Sequence, residues 1–147
     1  MVSTSQIAGA IALEVTIDAP PERVFRALTS AEELPKFLPE FKQVTFEARP
    51  GGEYEFRGTG DDGKTFSTRG KITEFDPPRR LAYTWRWQEW DFPETTVSYT
   101  LEPVEGGTKL SFLHSGFTTE LEESRGDHES HWKEDLELLK SSLEATQ

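Results

Sequence analysis

Between Ala12 and Asp18 apolar and polar residues alternate. Leu13, Val15 and Ile17 fall on one face, and Glu14, Thr16 and Asp18 on the other. A period of two predicts a half-buried strand. Ala19-Pro20-Pro21 stops it, and Pro21 with Glu22 suits the first turn of a helix whose stripe is Val24, Phe25 and Leu28. Ser30 and Glu33 stand at capping-box spacing ahead of a second short helix, limited by Pro35 and Pro39, with Phe37, Leu38 and Phe41 as its apolar content.

Strand patterns then run to residue 117. Phe41 to Ala48 is a weak one, and Pro50-Gly51-Gly52 turns into Glu53–Arg57, where Tyr54 and Phe56 share a face. Gly60-Asp61-Asp62-Gly63 signals a hairpin, followed by Phe66 to Phe75 with Phe66, Thr68, Gly70 and Ile72 in one parity. Beyond Asp76-Pro77-Pro78, Leu81, Tyr83, Trp85 and Trp87 line one face of a strand. Trp90, Phe92 and Pro93 read as a connecting loop, a candidate mouth or partner surface. Val97, Tyr99 and Leu101 alternate in the next strand, and Leu110, Phe112 and His114 share the inward parity of the last. From Thr119 the chain reads as helix, with Trp132, Leu136, Leu139 and Leu143 at i, i+4, i+7 and i+11.

These elements predict an α+β domain: a curved antiparallel sheet of about seven strands wrapped around a long C-terminal helix, with two short helices after the first strand. A cavity opens wherever the helix does not fill the curve. The 147 residues suit one domain over 11–147, with residues 1–10 as a flexible tail. The run Ile7–Leu13 has the length of a secretory core, but no Lys or Arg precedes it and Glu14 follows at once, so it reads as the lead into a strand. No apolar stretch reaches the length of a membrane span. A cytoplasmic location is the expectation.

The net charge of −11 argues against nucleic acid and against anionic lipid as partners. Residues 120–147 hold nine acids and three bases, which reads as a solvated outer face of the last helix. The absence of cysteine excludes disulfides, thiolate metal sites and a Cys nucleophile. Hydrophobic residues make up only 34%, so much of the apolar volume comes from aromatic rings.

Several blocks resemble the START-like (helix-grip, SRPBCC) superfamily, and within it bacterial proteins similar to the C-terminal domain of the activator of Hsp90 ATPase. They are Val15-Thr16-Ile17-Asp18-Ala19-Pro20-Pro21-Glu22-Arg23-Val24-Phe25, Gly70-Lys71-Ile72-Thr73-Glu74-Phe75-Asp76-Pro77-Pro78, Tyr83-Thr84-Trp85, Val97-Ser98-Tyr99-Thr100-Leu101 and His114-Ser115-Gly116-Phe117. The resemblance implies the helix-grip fold. It spans lipid carriers, receptors, cyclases and cochaperones, so it is weak for function. Two departures stand out. Where relatives often carry a Trp pair at the end of the second helix, this chain has Lys36-Phe37-Leu38, which alters the pocket entrance. Where the last helix usually opens with Gly-Trp, this chain has His131-Trp132.

Three function classes follow. The first is a protein that binds a small hydrophobic, ring-containing molecule in an internal cavity. Its expected walls are Phe37, Tyr54, Phe56, Phe66, Tyr83, Trp85, Trp87, Tyr99 and Phe112, faced by Trp132, with His114 and Asp135 as polar contacts. The second is a chaperone-associated interaction protein, resting on the family resemblance; a homodimer is also open. The third is an enzyme on a cyclic or polyketide-like substrate, which needs an acid–base pair such as His114 with Asp135 or a tyrosine. No cofactor or metal is expected. His128 and His131 at i, i+3, with Asp127 or Asp135, match no recognised metal spacing and read as a solvated helix start. His114 is either a satisfied structural histidine, a polar group on the cavity wall or an acid–base group. Asp135 is either at a helix edge in water or a pocket group paired with His114, Arg69 or Arg86.

Overall fold

A computed structural model describes residues 2–89, 93–118 and 121–145. The elements are β1 (Ser3–Ser5), β2 (Ala10–Ile17), α1 (Pro21–Thr29), α2 (Leu34–Phe37), β3 (Gln43–Phe46), β4 (Glu53–Thr59), β5 (Thr65–Asp76), β6 (Arg80–Trp87), β7 (Thr95–Val104), β8 (Gly107–Ser115) and α3 (Glu122–Ala145). One antiparallel sheet of eight strands runs in the order β1-β2-β8-β7-β6-β5-β4-β3. Every connection from β3 to β8 joins sheet neighbours. Only the passage through α1 and α2 crosses from one edge region to the other.

The eighth strand, β1, lies within residues 1–10, the stretch expected to be a flexible tail. Ser3–Ser5 pairs with Ala12–Glu14, and the Val2 amide donates to the Glu137 carboxylate on α3 at 2.9 Å. A backbone ladder between residues with short polar side chains leaves no apolar signature for sequence reading to find. The loop reading of Trp90 and Phe92 lies outside the described residues.

Alternation in β2, β6, β7 and β8 places the expected side chains inward: Leu13, Val15, Ile17, Tyr83, Trp85, Val97, Tyr99, Leu110, Phe112 and His114 are all buried. Helix α1 starts on Pro21, with the Arg23 and Val24 amides donating to the Pro20 carbonyl. Helix α2 is a single turn. Ser30 Oγ accepts the Glu33 amide at 3.4 Å in the turn ahead of α2, but the N-cap of α2 is Glu33, not Ser30, and the Glu33 carboxylate is held by Arg23 at 2.7 Å and Arg26 at 3.2 Å.

Helix α3 lies across the inner face of the sheet with Trp132, Leu136, Leu139 and Leu143 buried. The three leucines close the core against the β2 side, and Trp132 reaches β6 and β8 through Trp85 and Phe112, at ring separations of 5.3 and 4.5 Å. Burying such side chains contributes about 1.5–3 kcal/mol each.

Candidate functional site

The inner face of the sheet carries more rings than α3 can cover, and the rings divide into two groups. Tyr54, Phe56, Tyr83, Tyr99 and Phe112 pack against one another. Their centroids lie 4.7 Å apart for Tyr54–Phe56, 4.8 Å for Tyr54–Tyr83 and 5.3 Å for Tyr99–Phe112. Phe37 is buried with them. These six, expected on a cavity wall, are core. The Tyr54 hydroxyl donates to the Thr84 carbonyl at 2.5 Å. Burial first, and neighbouring tyrosines second, push the Tyr54 and Tyr83 hydroxyls well above the usual phenol range. They therefore stay neutral, which removes the tyrosines as bases.

The second group surrounds a cavity of about 580 Å³. Its aromatic walls are Phe41, Phe66, Trp85, Trp87 and Trp132, and its polar lining is Glu40, Ser124, Asp127, His128, His131 and Asp135. Trp85 and Trp87 meet edge to face at 5.5 Å, and Phe41 stacks on Trp87 at 6.1 Å. Trp85, Trp132 and Asp135 are buried, while Asp127 and His131 are exposed and form the rim. Of the residues expected to bind ligand, the cavity brings together Phe66, Trp85, Trp87, Trp132 and Asp135. His114 is not among its walls.

Six lining positions on α3, namely 124, 127, 128, 131, 132 and 135, follow the i, i+3, i+4, i+7, i+8, i+11 rule of one helix face. This is the inner stripe of α3 continued toward its N-terminus, where leucines give way to Ser, Asp and His. Short or polar side chains do not collapse onto an indole wall, so the space stays open. The reading of this stretch as a purely solvated face missed that continuation. The spacing back from Trp132 carries the signal.

Two indole–imidazole bonds tie the helix to the sheet. The Trp132 indole donates to His114 Nδ1 at 3.1 Å, so His114 carries its proton on Nε2, which lies 2.6 Å from Thr95 Oγ1. His114 is fully buried. Burial first, then nearby His128, hold its imidazole well below the ordinary range. It is thus a neutral, satisfied structural histidine. In the opposite sense, the Trp87 indole on β6 donates to His128 Nε2 at 3.0 Å, and His128 Nδ1, 2.7 Å from the Ser124 carbonyl, donates to it. His128 is therefore bound and half-buried rather than solvated.

Asp135 is only 5% exposed, which overturns the edge-in-water reading. Two of its expected partners are engaged elsewhere: Arg69 pairs with Glu55 at 2.7 Å, and His114 bonds to Trp132 and Thr95. Burial first, and the charge and hydrogen bond of Glu40 second, push the Asp135 carboxyl up to about 9. It is protonated at neutral pH. Glu40 reaches it from the turn after α2, and that turn rests on β4 at Gly58. A Cβ at Gly58 would collide with the Glu40 carbonyl oxygen and the Phe66 ring. No group of three metal-ligating side chains converges among the described residues. No helix among them is long and apolar enough to cross a membrane.

A family model described as activator of Hsp90 ATPase homolog 1-like protein matches residues 18–144. The chain belongs to that family. Among solved structures, a Rhodobacter sphaeroides protein is 27% identical with a TM-score of 0.88, covering 100% of both chains. A Chromobacterium violaceum protein is 26% identical with a TM-score of 0.80, covering 92% of this chain and 96% of that one. A Silicibacter pomeroyi member of the activator of Hsp90 ATPase homolog 1-like family, 23% identical with a TM-score of 0.79 over 94% of this chain and 99% of its own, shares the fold. No curated protein matches in sequence. Family membership agrees with the START-like resemblance of the sequence blocks, and the fold of this family accommodates ligands or chaperone-related roles.

Proposed function

We propose that this family member binds a small hydrophobic, ring-containing molecule in the cavity between β5, β6, the turn after α2 and α3. The observation that carries the reading is the cavity itself: about 580 Å³, walled by five aromatic side chains. Specific ligand sites occupy roughly 300–1,000 Å³ and combine apolar walls with a few polar groups. Trp85 adds to this. It lines the cavity, and its indole N–H has no partner among the described residues. Buried donors normally have one, and a ligand oxygen would supply it.

The test is thermal melting and tryptophan emission with a panel of neutral, cationic and anionic ring compounds. At least one class raises Tm and perturbs emission. Ser124→Phe, which fills the cavity from the helix side, abolishes both while keeping the wild-type circular dichroism. The reading fails if no panel member shifts either signal.

Catalysis on a cyclic or polyketide-like substrate has weaker support. His114 is fully engaged, which leaves Asp135 with Glu40 as a buried acid–base pair at the cavity. Contact with an Hsp90-type chaperone rests on the family description alone, and stimulation of Hsp90 ATPase activity by the purified chain is its test.

A further inference from the structure

The charge lining the cavity is of one sign. Three carboxyl side chains, Glu40, Asp127 and Asp135, face it, and no Lys or Arg does. Around them stand the faces and edges of Trp85, Trp87, Trp132, Phe41 and Phe66. Aromatic faces attract cations through the ring quadrupole, with the largest effect at tryptophan and in desolvated sites. An anionic ligand would meet carboxylates without a counter-charge, and a purely apolar one would leave Asp135 and Glu40 facing hydrocarbon.

We propose that the ligand class of this cavity is a protonated ring-containing amine, its ring among Trp85, Trp87 and Phe66 and its ammonium at Asp135 and Glu40. The proposal rests on the ligand-binding reading above and narrows it. Exposed Asp127 at the rim adds attraction for an incoming cation. The unpartnered Trp85 N–H suits an oxygen elsewhere on the ligand.

Binding entails a proton balance. Free Asp135 holds a proton at neutral pH, kept there by burial and by the negative charge of Glu40 and then Glu134. Tyr99, from β7, senses Asp135 in turn and is itself held neutral by burial. An arriving ammonium replaces that proton. The Asp135 O–H bond breaks, the proton leaves to solvent, and the carboxylate stays as counter-ion. Affinity for the amine therefore rises with pH up to about 9, provided the amine stays protonated, by at most tenfold per unit. His128 also faces the cavity, and its protonation at acid pH, opposed by burial, repels the cation, which acts in the same direction.

Calorimetry with tryptamine, tryptophol and indoleacetate, which share one ring and differ in charge, tests this. Tryptamine binds at least about tenfold tighter than tryptophol, and indoleacetate binds weakest. At pH 7 tryptamine alone releases a proton, seen as heat that scales with the ionisation enthalpy of the buffer. Glu40→Gln lowers tryptamine affinity about tenfold and leaves tryptophol unchanged, and Asp135→Asn abolishes the proton release. Equal binding of tryptamine and tryptophol, or tightest binding of indoleacetate, overturns the amine proposal while leaving the cavity reading intact. Binding of none of the three, with no response from the wider panel, overturns both.

Discussion

The indole N–H of Trp132, on α3, donates to Nδ1 of His114, on β8, at 3.1 Å. That bond settles the tautomer of a fully buried imidazole and joins the helix to the centre of the sheet. Both rings pack on Trp85, at 5.3 Å and 5.6 Å. Trp132→Phe keeps most of the packing and removes the donor, so it costs about 1–2 kcal/mol. Trp132→Ala removes both and costs about 3–5 kcal/mol. Denaturant melts of the two variants check the pair, and a loss below about 1 kcal/mol for Trp132→Ala means that the helix does not anchor there.

Acid weakens the fold through its buried imidazoles. Burial holds His114 well below the usual histidine range, and burial likewise lowers His128. The unfolded chain takes up protons near pH 6.5 while the native state does not, so stability is complete above that value and falls as the pH drops further. Imidazole titrations by NMR show His128 titrating below the free value and His114 not titrating before unfolding. Protonation of His128 in the native state would put an N–H against the Trp87 N–H.

Asp135 acts with the opposite sign. Its carboxyl is raised from an unfolded value near 3.8 to about 9. Its contribution is complete below about pH 4 and is lost progressively as the pH rises to about 9, with a slope of at most about 1.4 kcal/mol per unit. Asp135→Asn, which stays neutral, is therefore more stable than wild type at pH 8 and close to it at pH 4. Thermal melts at the two pH values decide this. Equal destabilisation at both excludes a buried protonated carboxyl.

Gly58 controls the position of Glu40. A methyl group at residue 58 meets the Glu40 carbonyl and the Phe66 ring. Gly58→Ala costs about 1–3 kcal/mol by overpacking and moves Glu40 away from Asp135. The excess stability of Asp135→Asn at pH 8 then shrinks in the Gly58→Ala background. Full additivity of the two changes would show that Glu40 has no hold on Asp135.

Periodicity alone determined which faces look inward. The alternation of Tyr83, Trp85 and Trp87 and the stripe of Trp132, Leu136, Leu139 and Leu143 are local, because strand and helix geometry map sequence spacing directly onto a face. The antiparallel sheet, the two short helices and the gripped terminal helix were legible for that reason, as were the inward-facing rings. A face does not say what it faces. Tyr54 and Tyr83 share inward parity with Trp85 and Trp87, yet the first two close on each other at 4.8 Å and the second two border a cavity. That division depends on the volume left between sheet and helix, a difference between distant surfaces with no local signature. The same holds for Glu40 beside Asp135 and Trp87 bound to His128. Each pair lies far apart in sequence and meets only because the turn after α2 rests on Gly58 and α3 crosses β6. Tertiary packing alone placed an acid, rather than an arginine or histidine, next to the buried carboxyl, and so set the charge of the site.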